Sequence, residues 1–353
     1  MQLTPEVKAQ LAEQKKQCVF CKIISKEMES QIVFEDKLTL AALDIRPAIK
    51  GHTLFMLKEH YPIMPYIPAN EFMHYFGLIP QISKAIKKSM LTTGINIFIA
   101  NGGAAGQQSP HFLMHFLPRE EQDGFFNFLF KRKSKLEAEK AKVLAHNFPI
   151  MMNNHFGRNP AAWHKSFGEQ PDFLAEVYDN STIIYEDEKV LAVLPEKAIA
   201  PGHIEIYSKE EPREIEKLSA EGSAHLFYTA SFAATAAFEG LGAHGTNIIL
   251  KSGTSDDNPS GQLVLHVLPR NNGDDLQSLM WEPKEPKYDL KGVASKIKDK
   301  TFYIKEKKKE KKEETPITKP EVIKIGSTNP TPEPNKKLNP TEEIAAAIER
   351  MKN

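Results

Sequence analysis

The chain of 353 residues contains two related copies of one stretch of sequence, and this duplication limits the folds available to the chain more than any other feature. Residues 111–119 read His-Phe-Leu-Met-His-Phe-Leu-Pro-Arg, and residues 262–270 read Gln-Leu-Val-Leu-His-Val-Leu-Pro-Arg. His266 follows His115 at an offset of 151 positions. The same offset relates four more matches without a gap: Glu35-Asp36 with Glu186-Asp187, Gly51-His52 with Gly202-His203, Lys58-Glu59 with Lys209-Glu210, and Asn96 with Asn247. We therefore predict a tandem duplication of one domain.

Each copy is predicted to be an α+β domain. In the first copy, strand-like segments lie at residues 31–35, 38–44, 53–58, 95–100 and 111–117. Residues 70–90 between them have apolar side chains at three- and four-residue spacing, which predicts a helix, and Pro80 predicts a kink or break in it. This order indicates a mostly antiparallel sheet with a helix covering one face.

The predicted organisation has five parts. They are a leading helix at 1–16, a first domain at 17–124, a connector at 125–166, a second domain at 167–281 and a largely disordered tail at 282–353. We expect the connector to be helical over its charged part and irregular around 153–162. In the tail, residues 305–314 are all lysine and glutamate, a composition that buries too little apolar surface to fold. The last residues predict a short helix, either marginal or docking onto a protein partner.

Composition narrows the class of protein. Lysine plus arginine equals aspartate plus glutamate, at 46 each, which argues against bulk attraction to nucleic acid or membranes. No apolar run approaches the roughly 18 residues of a membrane span, and the N-terminus has no signal-peptide core. Two cysteines three positions apart exclude a disulfide framework. We therefore expect a cytoplasmic protein.

The segment at 111–117, if it is a strand, directs His111, Leu113 and His115 to one face. Together with other motifs, it resembles the histidine-triad (HIT) superfamily of nucleotide-binding hydrolases and transferases. The resemblance implies two HIT-like domains that pair edge to edge, so that one chain forms a monomeric pseudo-dimer. The motifs follow the family's order: Cys18-Val-Phe-Cys21-Lys-Ile-Ile, Phe34-Glu-Asp36, Leu43-Asp-Ile45, Gly51-His-Thr-Leu54, Lys58-Glu-His60, Asn101-Gly102 and Ala105-Gly-Gln107.

The departure from the family concerns the middle histidine, which is the family's nucleophile. Leu113 and Val264 occupy that position in the two copies, and neither side chain can attack a phosphate. His115 remains, either as a catalytic group or as a hydrogen-bonded strand histidine. For His266, and for His52 and His203 in both copies, we predict packing or hydrogen-bonding roles.

Cys18 and Cys21 form a CxxC pair, which by itself fits a zinc site, a redox motif or two small buried residues. Resemblance to the zinc-binding branch of the family implies His60 and His111 as further ligands of a structural Zn²⁺. The second copy lacks all four ligands, with Glu169, Asp172, Glu211 and Gln262 in their places. Loss of the whole set is what a cooperative site predicts.

The resemblance also implies a nucleotide pocket in the first copy. Asp44 would accept hydrogen bonds from the ribose, although it also suits a turn before Pro47. The glycine-rich loop at 101–109 would bring backbone N–H groups to a phosphate. In the second copy Pro195 replaces Asp44, and Asp256 and Asp257 would repel phosphate, so we predict a structural role for that copy. The implied nucleotide-binding residues are Phe20, Ile23, Asp44, Ile45, Leu54, Asn101, Gly106, Gln107, Gln108, Ser109 and His115.

Three hypotheses for function follow. The leading one is binding of a purine nucleotide or nucleotide conjugate in the first domain, without a covalent intermediate. The second is slow hydrolysis of a nucleotide phosphoester or phosphoramidate through His115, an activated water or another group. The third is a non-catalytic scaffold whose tail binds a protein partner.

Overall fold

The helices and strands of the two copies follow the same order. The computed structural model describes residues 12–132, 136–158, 161–274, 276 and 279–304, and residues 12–17 are helical. The first copy then contains α1 (Val19–Ile24), β1 (Ile32–Glu35), β2 (Thr39–Leu43), β3 (Thr53–Leu57), α2 (Ala69–Gly77), α3 (Ile79–Met90), β4 (Gly94–Asn101), β5 (Met114–Arg119) and α4 (Ala138–Arg158). The second contains α5 (Ala175–Asn180), β6 (Ser181–Glu186), β7 (Val190–Pro195), β8 (Ile204–Ser208), α6 (Ala220–Leu241), β9 (Gly245–Ser252), β10 (Val264–Arg270) and α7 (Leu290–Thr301).

The ten strands form one continuous antiparallel sheet in the order β1-β2-β3-β5-β4-β9-β10-β8-β7-β6. Strands β4 and β9 join the two domains, with Phe98 opposite Ile249. These two residues are equivalent at the offset of 151, so a pseudo-twofold axis passes between them. The predicted α+β pseudo-dimer within one chain is thereby confirmed.

The longer helices α2, α3, α4, α6 and α7 cover one face of this sheet, and a proline explains why the helix of the first copy is broken. Pro80 lies in the first turn of α3, where its missing N–H is tolerated, and the chain breaks at Leu78 between α2 and α3. The second copy has no proline here, and α6 runs unbroken over 22 residues. The rings of Phe76 and Phe227 stack across the two domains at 4.8 Å, so both copies share one apolar core.

The segments that follow each domain are exchanged between the domains. Helix α4, which follows the first domain, packs on α6 and β6 of the second, with the Phe148 and Tyr185 rings 5.4 Å apart. Helix α7, which follows the second domain, packs on α3 and β1 of the first. Ser89 Oγ donates to the Lys296 carbonyl there at 3.0 Å, and Thr301 Oγ1 donates to the Val33 carbonyl. The predicted connector therefore contains a helix, α4, that packs on the second domain. Helix α7 is its counterpart after the second domain and packs on the first.

Three boundaries differ from those predicted. The tail does not begin at 282, because Val293 and Ile297 of α7 are buried against the first domain. The segment from 153 is helical to Arg158, since the buried Met152 and Phe156 continue the apolar stripe of α4. Strand β5 begins at Met114, because the N–H of Phe112 donates to the Tyr61 carbonyl outside the sheet ladder. The start of the predicted leading helix and the lysine-glutamate segment lie outside the described residues.

The two domains are also linked by a buried polar cluster around Asp257. Its carboxylate accepts hydrogen bonds from Arg119 at 2.7 Å, Asn96 at 2.9 Å and Ser255 at 2.8 Å. Lys251 Nζ lies 3.2 Å from the same carboxylate. The acidic loop of the second copy thus contributes to the domain interface. Within the described part of the chain, no helix has the length and apolar character needed to span a membrane.

Candidate functional site

The first domain contains a cavity of about 750 Å³. It lies between α1, the ends of β2, β3 and β5, and the loop before β5. Asn101 is not among its lining residues, because the Asn101 side chain is buried and turned to the Met64 N–H and the Thr246 hydroxyl. The other predicted nucleotide-binding residues all line the cavity, namely Phe20, Ile23, Asp44, Ile45, Leu54, Gly106, Gln107, Gln108, Ser109 and His115.

A chain of hydrogen bonds determines the tautomer of His115, that is, which of its two ring nitrogens carries the hydrogen. The backbone N–H of Ala48 donates to His52 Nδ1 at 3.3 Å, so the hydrogen of the neutral His52 ring is on Nε2. His52 Nε2 then donates to His115 Nδ1 at 3.0 Å. Burial lowers the pKa of both rings to about 3, so both are neutral at pH 7. His115 is left with Nε2–H, which is a donor and not a base.

Asp44 has one oxygen engaged and one available. Its Oδ1 accepts from the Arg46 N–H at 2.8 Å, which is the turn role that the sequence also suggests. Its Oδ2 lies 3.5 Å from His52 Nδ1, a nitrogen that carries no hydrogen. This second oxygen remains free to accept hydrogen bonds from a ligand in the cavity.

The loop before β5 is held by its own side chains. Gln107 Oε1 accepts from the Gly102 N–H at 2.7 Å, while Gln107 Nε2 donates to the carbonyls of Pro62 and Ser109. Gly106 has φ of +84°, which favours glycine, and a Cβ there would lie 2.8 Å from Met280 Cγ. The loop is thus held in place by these hydrogen bonds and packs closely against Met280.

Leu113 lies where the family has its nucleophile. It packs with Leu54, Met56, Phe20 and Ile23 in an apolar cluster along the cavity. An isobutyl group offers no lone pair, so the cavity contains no nucleophile at this position.

The four predicted metal ligands converge beside the cavity. The ligand atoms of Cys18, Cys21, His60 and His111 all lie within 4.8 Å of one another. Cys21 Sγ is 3.3 Å from His60 Nδ1 and 3.6 Å from His111 Nδ1, and Cys18 Sγ is 3.6 Å from His111 Nδ1. A tetrahedral zinc ion, with Zn–S about 2.3 Å and Zn–N about 2.0–2.1 Å, would separate sulfur and nitrogen by about 3.6 Å. The distances therefore fit zinc.

The electrostatics of this cluster also fit a cation. His111 Nε2 donates to the Leu57 carbonyl at 2.9 Å, which leaves the Nδ1 lone pair directed at the two sulfurs. Burial lowers the pKa of His111 to about 4, so the ring is in the neutral form that binds metals. Burial and the neighbouring Cys18 raise the pKa of the Cys21 thiol to about 12. A thiolate there needs a compensating cation, which zinc supplies.

The equivalent cavity of the second domain is filled by charged and aromatic groups. Glu205 replaces Leu54 on β8, and its Oε1 lies 2.6 Å from Arg132 Nη2 of the exchanged segment. Tyr207 donates to the other Glu205 oxygen at 2.6 Å. The Ile199 N–H donates to His203 Nδ1, so His203 Nε2–H donates to His266 and cannot bind a metal. This domain has the histidine pair of the first, and Glu205 Oε1 lies beside it at 3.4 Å from His266 Nδ1.

The sequence did not indicate that residues after β10 would line the cavity of the first domain. Met280, Trp281 and Pro283 do so, and the Trp281 ring lies 5.1 Å from His52 and 5.3 Å from His115. Phe130, which is equivalent to Trp281 at the offset of 151, lies 6.2 Å from His266. The aromatic residues Phe130 and Trp281 at this offset were the sequence signal that could have indicated this arrangement.

Comparison with known proteins identifies the two copies. The sequence profile of the HIT domain matches residues 25–122 and 178–273, which together exceed half of the chain. The chain is 41% identical to a HIT-like protein of Borreliella burgdorferi over 138 residues, which cover 38% of this chain and 97% of that protein.

Two relatives have assigned reactions. An adenylylsulfatase of Arabidopsis thaliana is 36% identical over 123 residues, covering 35% of this chain and 62% of the relative. An adenosine 5′-monophosphoramidase of Saccharomyces cerevisiae is 37% identical over 108 residues, covering 30% and 66%. Among solved structures, a zinc-bound histidine-triad protein from Mycobacterium smegmatis is 35% identical, with coverage of 31% of this chain and 81% of that chain and a TM-score of 0.29.

Proposed function

The chain belongs to the HIT family of nucleotide-binding, hydrolase-like domains, and from this we propose that its first domain binds a purine nucleotide or nucleotide conjugate without forming a covalent intermediate. The observation that supports this most directly is a lined cavity with a free Asp44 oxygen and with Leu113 at the position of the nucleophile. The adenylylsulfatase and the adenosine 5′-monophosphoramidase described above act on conjugates of adenosine 5′-monophosphate. Adenosine 5′-monophosphate is therefore the ligand to test.

The cavity offers a partner to each part of such a nucleotide. Apolar side chains from α1 and from β2 to β3 suit the base, and Asp44 Oδ2 suits the ribose hydroxyls. The backbone N–H groups of Gln108 and Ser109 and the Nε2–H of His115 suit the phosphate, whereas the N–H groups of Gly106 and Gln107 donate to carbonyls within the loop. No charged lysine is needed, because backbone and imidazole N–H groups perform the role.

The hydrogen-bond chain argues against the slow-hydrolase alternative. A general base must accept a proton, yet the Nδ1 of His115 is occupied by His52 and its Nε2 already has a hydrogen. With Leu113 beside it, the site lacks both a nucleophile and a base among the triad positions. Binding is the function that these groups support.

We expect Asp44→Ala to weaken binding of adenosine 5′-monophosphate by about 1.5–3 kcal/mol, or roughly 10- to 150-fold, because a charged acceptor is lost. Titration calorimetry on the full chain measures this. Pro195→Ala, at the equivalent position of the second domain, is the matched control and should leave the affinity unchanged. If wild type does not bind the nucleotide, the scaffold hypothesis is the better one.

Mass spectrometry after incubation with adenosine 5′-phosphoramidate tests the lack of a covalent step. Wild type should show no nucleotidyl adduct and no turnover. Leu113→His restores an imidazole between His111 and His115 and should form a detectable adduct, although a zinc ligand at His111 will limit its rate. Rapid turnover by wild type, with an adduct on His115, would contradict the proposal.

We also propose that Cys18, Cys21, His60 and His111 bind one structural zinc ion per chain. Elemental analysis of protein purified without added metal should find one equivalent. Cys18→Ser should lose the metal and several kcal/mol of stability, because binding energy at a structural site is folding energy. Glu169→Ser, at the equivalent position of the second copy, should retain it. Full zinc retention in Cys18→Ser would contradict the assignment.

A further inference from the structure

The metal-ligand cluster and the cavity share their walls. Cys18 and His111 line the cavity and also belong to the cluster of four ligands. We infer that zinc in this cluster sets the affinity of the cavity for its nucleotide, so that the ligands act as positioning residues for the nucleotide site. This inference rests on the proposed function above.

The first shared wall is helix α1, whose apolar side chains are only partly buried. It is six residues long, and none of its residues is buried. Helices this short are unstable alone in water. Phe20 and Ile23 of this helix line the cavity, whereas Cys18, only 3% exposed, and Cys21 attach its start to the cluster. Zinc would therefore fix the helix that presents both apolar side chains to the ligand.

The second shared wall is the loop before β5. Ser109 Oγ accepts from the N–H of the ligand His111 at 3.1 Å. Gln107 Nε2 donates to the Pro62 carbonyl at 2.7 Å, two residues after the ligand His60. The segments with the two imidazole ligands thus hold the loop that suits a phosphate. One ion would connect the wall for the base with the wall for the phosphate.

The contacts within the cluster are too weak to replace the ion. A thiol is a weak donor, and the sulfur–nitrogen distances are 3.3 to 3.6 Å. His60 Nε2 is buried and has no hydrogen-bond partner among the residues that the structure describes. Four metal–ligand bonds would order both walls before the nucleotide arrives, which lowers the entropy cost of binding. Linkage also requires the reverse effect, so the nucleotide should tighten zinc binding by the same factor.

Calorimetric titration of adenosine 5′-monophosphate into the full chain tests this inference. Chelator-stripped wild type and Cys21→Ser should bind at least tenfold more weakly than zinc-loaded wild type. Asp172→Ser changes the equivalent exposed position of the second domain and should bind as zinc-loaded wild type does. Equal affinities of loaded and stripped protein, with circular dichroism showing that both are folded, would overturn the inference.

A second measurement holds even if the stripped protein unfolds. Competition with a chromophoric chelator gives the zinc affinity of the full chain, measured with and without saturating adenosine 5′-monophosphate. We expect the nucleotide to tighten zinc binding by the same factor, at least tenfold, and an unchanged zinc affinity would overturn the inference. If zinc-loaded wild type binds no nucleotide at all, the proposed function fails first, and the inference is overturned with it.

Discussion

Two pairs of buried histidines, one in each domain, are the residues on which the pH response of the protein depends. His52 bonds to His115 at 3.0 Å, and His203 bonds to His266 at 3.1 Å. Both pairs are fixed by a backbone N–H that donates to the first ring. Burial lowers the pKa of His52 to about 3 and keeps the pKa of His203 well below its usual range. Both pairs therefore stay neutral in the folded state.

These pKa shifts predict loss of stability in mild acid. An unfolded histidine has a pKa of about 6.5, so below that pH the unfolded chain binds protons that the folded chain does not. His52 and His115 should therefore each cost about 1.4 kcal/mol per pH unit between about pH 6.5 and about pH 3, and His203 and His266, whose pKa values are also lowered by burial, add to this loss as the pH falls below about 6.5. Urea denaturation from pH 7 to pH 5 measures the slope. His203→Gln should make it shallower, because it removes one of the buried histidines. Identical slopes in wild type and His203→Gln would contradict this account.

At the scale of elements, the two exchanged helices protect the edges of the sheet. Strands β1 and β6 are the edge strands, and unpaired edges favour aggregation. Helix α7 packs on β1, and α4 packs on β6. The buried side chains of α7 that make this contact include Val293 and Ile297. Residues beyond the second domain are therefore part of the first domain's core.

Ile297→Ala tests the contribution of α7. Ile297 is fully buried, so removing its side chain should lower the free energy of unfolding by about 2–5 kcal/mol, through lost burial and the cavity that remains. Urea denaturation measures the change. Ser295→Ala, on the exposed side of the same helix, should change stability by about 0.5 kcal/mol or less. Similar midpoints for the two variants would mean that α7 does not stabilise the first domain.

At the scale of the whole molecule, the asymmetry between the copies favours pairing within one chain. Asp257 and Lys251 of the second copy correspond to Gly106 and Ala100 of the first. The Asp257 carboxylate meets Arg119, a fully buried cation of the first domain. Two identical first domains would lack this buried ion pair. Gly106 lines the cavity of the first copy, whereas the equivalent residue of the second copy, Asp257, lies in the domain interface.

Asp257→Ala should destabilise the chain by about 3–5 kcal/mol, because it leaves the buried charge of Lys251 without its carboxylate partner and removes one of the two carboxylates that Arg119 contacts, the other being Asp123. Thermal or urea denaturation measures the loss. Asp256→Ala is the control and should cost less, about 1 kcal/mol, because its carboxylate accepts a single exposed hydrogen bond, from the Gln122 N–H. Light scattering should give the mass of one chain for wild type. A small effect of Asp257→Ala, or a dimeric wild type, would show that the interface does not depend on this cluster.

The duplication, the main order of strands and helices and the side-chain types of the candidate site can be read from the chain alone. These features follow from local patterns: the offset of 151 is read along the chain, strand and helix periods are set by backbone geometry, and the side chain of Leu113 cannot attack a phosphate. The three-dimensional structure was needed to show that the segments after β5 and β10 are exchanged, and that Trp281 lines the cavity of the first domain. It also decided that Asp257 meets Arg119 and that Arg132 fills the second pocket. Such contacts join residues far apart in the chain, and their energy depends on burial and charge pairing that no local pattern records.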